Sequence, residues 1–150
     1  MPEDTDVLLF FCGQYWEEIR HTEEQREKLT NLIILIAAAT IGLVGQKGFS
    51  RDFILLAILL MVLGLYGMVT TKKLYERYSF LQARLYRWYD RIDYLHPNAQ
   101  FLKLKSEADE EHKRQFQRLA KIHVHQLWLA LHALVCISGL ALLIMIFYKT

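Results

Sequence analysis

Three long stretches without a charged side chain alternate with strongly charged segments along the chain. They cover residues 29–46, 53–71 and 124–148. A hydrocarbon core is ~30 Å thick, and ~20 helical residues cross it. The pattern therefore predicts an all-α membrane protein with three transmembrane helices in contact with membrane lipid.

The lengths of the charged segments divide the chain into four parts. The first two uncharged stretches are separated by a loop that is too short for anything but a tight turn. We therefore expect an N-terminal cytoplasmic helix (1–28), a transmembrane hairpin (29–71), a cytoplasmic helical hairpin (72–123) and a third transmembrane helix (124–150).

Lysine and arginine flank the ends of the predicted spans unequally. Seven lie beside the start of the first span, the end of the second and the start of the third, whereas Lys47, Arg51 and Lys149 lie at the opposite ends. Positive charge accumulates on the cytoplasmic side of membrane proteins. This count places the N-terminus and residues 72–123 in the cytoplasm and the C-terminus outside.

The second span is predicted to continue as a helix through Leu95, because no Pro or Gly follows Gly67 until Pro97. Apolar side chains then recur in steps of four and three, which is the a/d spacing of a packed or coiled helix. We interpret this seam as a candidate contact between copies in a homo-oligomer. Its members are Leu74, Tyr78, Leu81, Leu85, Trp88, Ile92 and Leu95.

Two further helices are expected outside the spans. In the N-terminal segment, a possible buried stripe consists of Leu8, Cys12, Tyr15 and Ile19. After the corner at residues 96–98, a second cytoplasmic helix is expected to begin near Ser106, where acidic residues favour a helix start. It is predicted to run without a break into the third span, so that two long helices form a hairpin stalk.

An Arg-x4-His pattern occurs twice, at Arg91/His96 and at Arg118/His123. Nucleases of the HEPN class use such helical pairs, in which Arg stabilises phosphate charge and His transfers protons. The alternative is structural: Arg118 is an anchor at the membrane interface and His123 caps the junction with the third span. The sequence shows no Gly-rich phosphate loop, no Ser/His/Asp set and no pair of carboxylates inside a span.

The third span contains His125, Trp128 and His132 on one helix face. Ionisable groups inside a span usually face the bundle interior or water. These residues could form a polar line along a pore, or His132 could make an interhelical hydrogen bond that fixes packing. No spacing typical of a metal or cofactor site appears, so we expect neither group.

Two further expectations concern close helix packing in the first span and nucleic-acid contact by residues 72–123. Ala38 and Gly42 form a small-xxx-small pair in the first span, a spacing that permits close helix approach. Residues 72–123 carry twelve basic and seven acidic side chains, and their interleaved aromatics could contact nucleic acid. The heptad seam explains the aromatics more simply.

Short strings in the sequence resemble a known group of proteins. They are residues 15–26 (YWEEIRHTEEQR), 74–78 (LYERY) and 123–128 (HVHQLW). The chain resembles small membrane proteins of bacterial antiviral systems, namely the membrane accessory of the type VI-B CRISPR nuclease and SLATT-type effectors. This resemblance implies homo-oligomeric pores that depolarise the inner membrane of an infected cell. Arg118 and His123 match a pair proposed to be HEPN-like in the CRISPR accessory.

Three functions follow as hypotheses. The first is a homo-oligomeric pore or membrane-potential effector of phage defence, which is not an enzyme. The second is a membrane-tethered ribonuclease that uses Arg118 and His123. The third is a non-enzymatic scaffold for a soluble defence partner. A transporter is disfavoured because the spans show no internal repeat.

Overall fold

The computed structural model describes the backbone of residues 2–149 and the side chains of residues 5–149. The regular elements of this part of the chain are all helices, and it contains no strand, as predicted. The elements are α1 (Pro2–Lys47), a 3₁₀ helix (Arg51–Phe53), α2 (Ile54–Leu95), α3 (Phe101–Gln115), a second 3₁₀ helix (Leu119–Lys121) and α4 (Val124–Lys149). Three of the helices, α1, α2 and α4, are long and apolar enough to cross a membrane, which is compatible with a multi-pass protein.

The chain divides into two units, and each is discontinuous in sequence. Residues 1–23 and 75–123 form the aromatic unit, and residues 24–74 and 124–150 form the membrane unit, which contains the apolar stretches. These boundaries differ from the expected ones, because α1 contributes to both units instead of ending at the start of the first span. The 72–123 segment is likewise joined by the N-terminal residues.

In the aromatic unit, α1 packs antiparallel against α2. Leu8, Cys12 and Ile19 are buried together with three members of the predicted seam, and the partly buried side chains around them include Tyr15, Tyr78, Trp88 and Leu95. The buried seam residues are Leu81, Leu85 and Ile92. The N-terminal stripe and the extension of α2 through Leu95 are therefore both confirmed.

Part of the predicted seam packs within the chain itself. Its buried residues contact α1 of the same chain, and Leu74, which is half-buried, belongs to the membrane unit. Within one chain, α1 therefore covers the buried part of the seam, and the assignment of the seam to contacts between copies stays a prediction. Cys12 lies inside this contact, and its burial raises the pKa of the thiol.

Aromatic and polar contacts reinforce the pairing of α1 with α2. The ring of Phe11 stacks on Trp88 with 5.6 Å between centroids. The indole Nε1 of Trp16 donates a 2.7 Å hydrogen bond to the Tyr89 hydroxyl. Because Trp88 and Tyr89 are engaged within the unit, the packing interpretation of these aromatics is favoured over nucleic-acid contact.

The predicted continuous helix into the third span is wrong. Helix α3 begins at Phe101, before Ser106, and ends at Gln115. A turn and the short 3₁₀ helix separate it from α4. No residue of α3 is buried, so this segment is a short surface helix and not half of a long stalk.

The carboxylate of Asp93 at the end of α2 caps α3. Its two oxygens accept hydrogen bonds from the backbone N–H groups of Phe101 (2.7 Å) and Leu102 (2.9 Å). The first N–H groups of a helix have no partner within the helix, and a negative charge there is favourable. Asp93 thus replaces the cap that was expected at Ser106, and the ring of Phe101 stacks on Tyr89.

Replacing Asp93 by asparagine should loosen the start of α3. An amide oxygen is a weaker acceptor than a carboxylate, and loss of such a cap costs ~0.5–2 kcal/mol. We expect faster hydrogen exchange at the amides of Phe101 and Leu102. Asp90→Asn is the matched control, since Asp90 is exposed on the same helix; equal exchange in the two variants would contradict the capping role.

In the membrane unit, α1 and α2 are joined by a turn that requires glycine. Gly48 has φ of +84°, a conformation that other residues rarely adopt. Its N–H donates to the Val44 carbonyl and so closes the end of α1. This turn produces the predicted helical hairpin of the first two spans.

Candidate functional site

Several polar side chains are buried inside the membrane unit. They are Thr30 and Thr40 on α1, Thr71 on α2 and His132 on α4. Polar groups are expensive in an apolar environment and are rarely kept there without a role in packing or function. The candidate functional site is the contact of His132 with Thr30 and Gly67, with Thr71 buried one turn further along α2.

His132 is completely buried and links α4 to α1. Its Nε2 lies 3.3 Å from the hydroxyl oxygen of Thr30. The Thr30 hydroxyl already donates to the Arg26 carbonyl at 2.9 Å. Since a hydroxyl has one proton, this arrangement assigns the imidazole proton to Nε2, which donates to Thr30, and leaves Nδ1 as an acceptor.

The other side of the imidazole faces α2 at Gly67. A Cβ added there would come within 2.6 Å of the His132 Cγ atom, so only glycine admits the ring. One turn further along α2, the Thr71 side chain is also buried. Neither Thr71 Oγ1 nor His132 Nδ1 has a hydrogen-bond partner among the described residues. The site therefore keeps unused hydrogen-bonding capacity within apolar helices.

A second layer of contact lies one turn before the His132 layer. The guanidinium of Arg26 lies over the ring of Trp128, 5.4 Å from its centroid. A cation over a Trp face is attracted by the ring electrons. Because Arg26 and Trp128 precede Thr30 and His132 by one turn each, α1 and α4 run parallel through this contact.

Two of the three residues predicted to form the polar line thus contact α1 of the same chain. His132 and Trp128 face Thr30 and Arg26, and His125 is half-buried further towards the start of α4. In the structure, His132 fixes helix packing and is closed off from solvent. This favours the alternative interpretation of an interhelical hydrogen bond over an open polar line.

Towards the C-terminal end of α4 from His132, α2 and α4 approach closely at glycine residues. A Cβ at Gly64 would lie 2.5 Å from the Cys136 backbone nitrogen, and one at Gly139 would lie 2.7 Å from the Ala57 carbonyl oxygen. The adjoining core contains Ile33, Ala37, Leu60 and Val135. Small residues let helix backbones approach closely within a membrane, and Gly64 and Gly139 do so between α2 and α4.

The Arg-x4-His pairs do not form the expected helical constellation. Arg118 precedes the second 3₁₀ helix and His123 lies in the non-helical residues before α4, so their spacing is not that of one helix face. The Arg91 guanidinium lies over the Tyr94 ring, and His96 Nε2 lies 2.9 Å from the Thr5 hydroxyl oxygen. The ribonuclease hypothesis stays a prediction without support from this geometry.

The described residues contain no group of three or more His, Cys, Asp or Glu side chains that could hold a metal ion.

In the aromatic unit, the ammonium group of Lys105 donates a hydrogen bond to the carboxylate of Asp109. This bond lowers the pKa of Asp109 and raises the pKa of Lys105. Both lie on exposed α3, so this pair is a surface contact.

Sequence analysis found His132 but missed its partners. Thr30, Gly67 and Thr71 look unremarkable singly, yet they lie in heptad stripes that the structure buries. On α2 the buried positions of the membrane unit are Ala57, Leu60, Gly64, Gly67 and Thr71, in steps of three and four. Extending the seam backwards from Leu74 would have found Gly67 and Thr71.

Replacing Thr30 by valine tests the hydrogen bond to His132. Threonine and valine have nearly the same shape, but valine has no hydroxyl to accept a hydrogen bond from Nε2 of His132. Interhelical hydrogen bonds in membranes contribute ~0.6 kcal/mol on average and up to ~1.7. A double-mutant cycle with His132→Leu, measured by unfolding in detergent, should give a coupling of that size. Thr40→Val, on the same face of α1, should show no coupling with His132→Leu.

No family model, no curated protein and no solved structure matches this chain.

Proposed function

We propose that the chain is a homo-oligomeric inner-membrane effector of bacterial phage defence that perturbs the membrane potential when it is activated. The observation that carries the proposal is the buried contact of His132 with Thr30 and Gly67, with Thr71 also buried one turn further along α2. Its unused hydrogen-bonding atoms suit a closed state that can admit water when the helices separate. The resemblance to small antiviral membrane proteins supplies the biological context.

The outer surface of the membrane unit supports residence in lipid. Large apolar side chains on all three helices are exposed, among them Leu35, Leu55, Val62 and Ile137. Contact of so much apolar surface with water would be unfavourable, whereas contact with lipid acyl chains would not. The proposed orientation, with the aromatic unit in the cytoplasm, follows from the positive charges beside the spans.

A face of α1 is free to pack against another copy. Ala38, Gly42 and Gly45 are exposed on one side of the helix, and a Cβ at either glycine would meet no atom within 4 Å. Glycines 64, 67 and 139, by contrast, are used within the protomer. With the α2 seam filled by α1, this small-residue face is the contact we propose for homo-oligomers.

Liposome leakage and mass determination test this function together. The purified chain should exceed the monomer mass in mild detergent and release a small dye from liposomes. Gly42→Ile should reduce both, because its side chain separates the helices, whereas Gly13→Ile, outside the spans and equally open, should reduce neither. A monomeric protein that releases no dye would contradict the proposal.

The surface of the aromatic unit favours a second candidate, a scaffold for a soluble partner. Leu104, Leu119 and Ile122 are exposed on and after α3, outside the apolar stretches. Apolar groups exposed to water often mark interaction sites. If this function is correct, Leu104→Ser with Leu119→Ser should release a stoichiometric partner that co-purifies from the native host, and the oligomer mass of the chain itself should not change.

A further inference from the structure

A groove on the membrane unit lies between α2 and α4, on a surface separate from the His132 site. It has a volume of about 480 Å³, within the ~300–1,000 Å³ typical of small-molecule sites. Its lining consists of Leu65, Met68, Val69 and Lys72 from α2 and Leu129, Ala130 and Ala133 from α4.

The groove owes its depth to small side chains on α4. Ala130 and Ala133 form the α4 side beside Leu129, and larger side chains of α2 form the opposite wall. Val69 on that wall is 68% exposed, so the protein itself does not fill the groove. In a bilayer this surface would be covered by hydrocarbon, and its shape and chemistry match an acyl chain.

One end of the groove carries a positive charge. Lys72 is the first charged residue after the uncharged stretch 53–71, and no acidic side chain lines the groove. Its ammonium group therefore lies where the apolar stretch ends, which is the depth of lipid phosphates. Basic pockets beside membrane helices bind anionic lipid head groups.

We infer that this groove binds one anionic phospholipid of the bilayer, with an acyl chain along Met68 and Ala133 and the head-group phosphate paired with Lys72. The charge selects the lipid class, and the alanines admit the chain. The site does not depend on the proposed effector function, because the groove exists within one protomer.

Native mass spectrometry of the full chain in mild detergent tests the site. The probes are phosphatidylglycerol and phosphatidylcholine with identical acyl chains. We expect one phosphatidylglycerol to be retained per chain in preference to phosphatidylcholine. Lys72→Gln should weaken phosphatidylglycerol binding about five-fold, as expected for removal of one basic side chain, and Lys73→Gln, outside the groove, should have a much smaller effect.

Filling the groove provides the second arm. Ala130→Leu with Ala133→Leu should remove phosphatidylglycerol retention, whereas Ala141→Leu, exposed further along α4, should retain it. Equal binding of the two lipids, or an unchanged affinity in Lys72→Gln, would overturn the inference. So would competition by glycerol phosphate alone, which would indicate a phosphate site, or loss of oligomer mass in the filled variant, which would assign the groove to another copy.

Discussion

Replacing Gly64 by alanine should destabilise the membrane unit, although alanine is the better helix former. The added Cβ would lie 2.5 Å from the backbone nitrogen and 2.8 Å from the Cα of Cys136. A backbone cannot rotate away as a side chain can, so α2 and α4 must separate. Overpacking of this kind costs ~1–3 kcal/mol, and the His132 contact one turn away should weaken with it.

Gly42→Ala is the matched control for this variant, because it makes the same chemical change in an open position. It should be neutral or stabilising by up to ~1 kcal/mol, so only Gly64→Ala is expected to destabilise the membrane unit. Unfolding in a denaturing-detergent titration, at dilutions where the chain is monomeric, measures both. Faster alkylation of Cys136 in Gly64→Ala alone would report the separation directly, and equal stability of the two variants would show that α2 and α4 do not touch there.

Replacing Leu81 and Leu85 by aspartate should unfold the contact of α1 with α2 in the aromatic unit. Both leucines are almost fully buried against Leu8, Cys12 and Ile19. An unpaired carboxylate in such a place is among the few changes that cost more than ~4 kcal/mol. Proteolysis should then cleave residues 75–95, and the buried thiol of Cys12 should become reactive.

Phe80→Asp is the control for the leucine variants. Phe80 is next to Leu81 in sequence but is 53% exposed, and its replacement removes the contact of its ring with the Arg84 guanidinium, worth ~0.5–1 kcal/mol. Membrane association should persist in both the double leucine variant and Phe80→Asp, since the apolar stretches are unchanged. If the double variant resisted proteolysis and only lost oligomer mass, the seam would face another copy after all.

The pattern of apolar and charged residues was sufficient to predict the long helices. Uncharged length identified the three candidate spans, and the steps of four and three from Leu74 to Leu95 identified the helical face that α2 buries. Both signals are local, since each depends on which side chains one helix presents. The partner of that face is not a local property, so the spacing alone does not indicate that Leu81 and Leu85 pack against α1.

Local sequence patterns also fail to predict the break before α4 and the position where α3 begins. Residues 116–123 contain neither Pro nor Gly, so local propensity indicated a continuous helix where the structure has a break. Helix α3 is fixed at its start by the distant Asp93 carboxylate, and a capping partner contributed by another helix has no sequence signature near Ser106. Thr30 likewise acquires its role from His132, which is far away in the chain.

The discontinuity of both units has a consequence for biosynthesis. Residues 1–23 cannot bury Leu8, Cys12 and Ile19 until residues 75–95 have been made, after the first two apolar stretches. Because synthesis proceeds at ~5–20 residues per second, these side chains remain without their α2 partner for several seconds. His132 is made later still, and it then completes a site whose Thr30 and Gly67 residues have already been synthesised. Ribosome pausing or chaperone capture between the second and third apolar stretches would therefore affect the yield of both units.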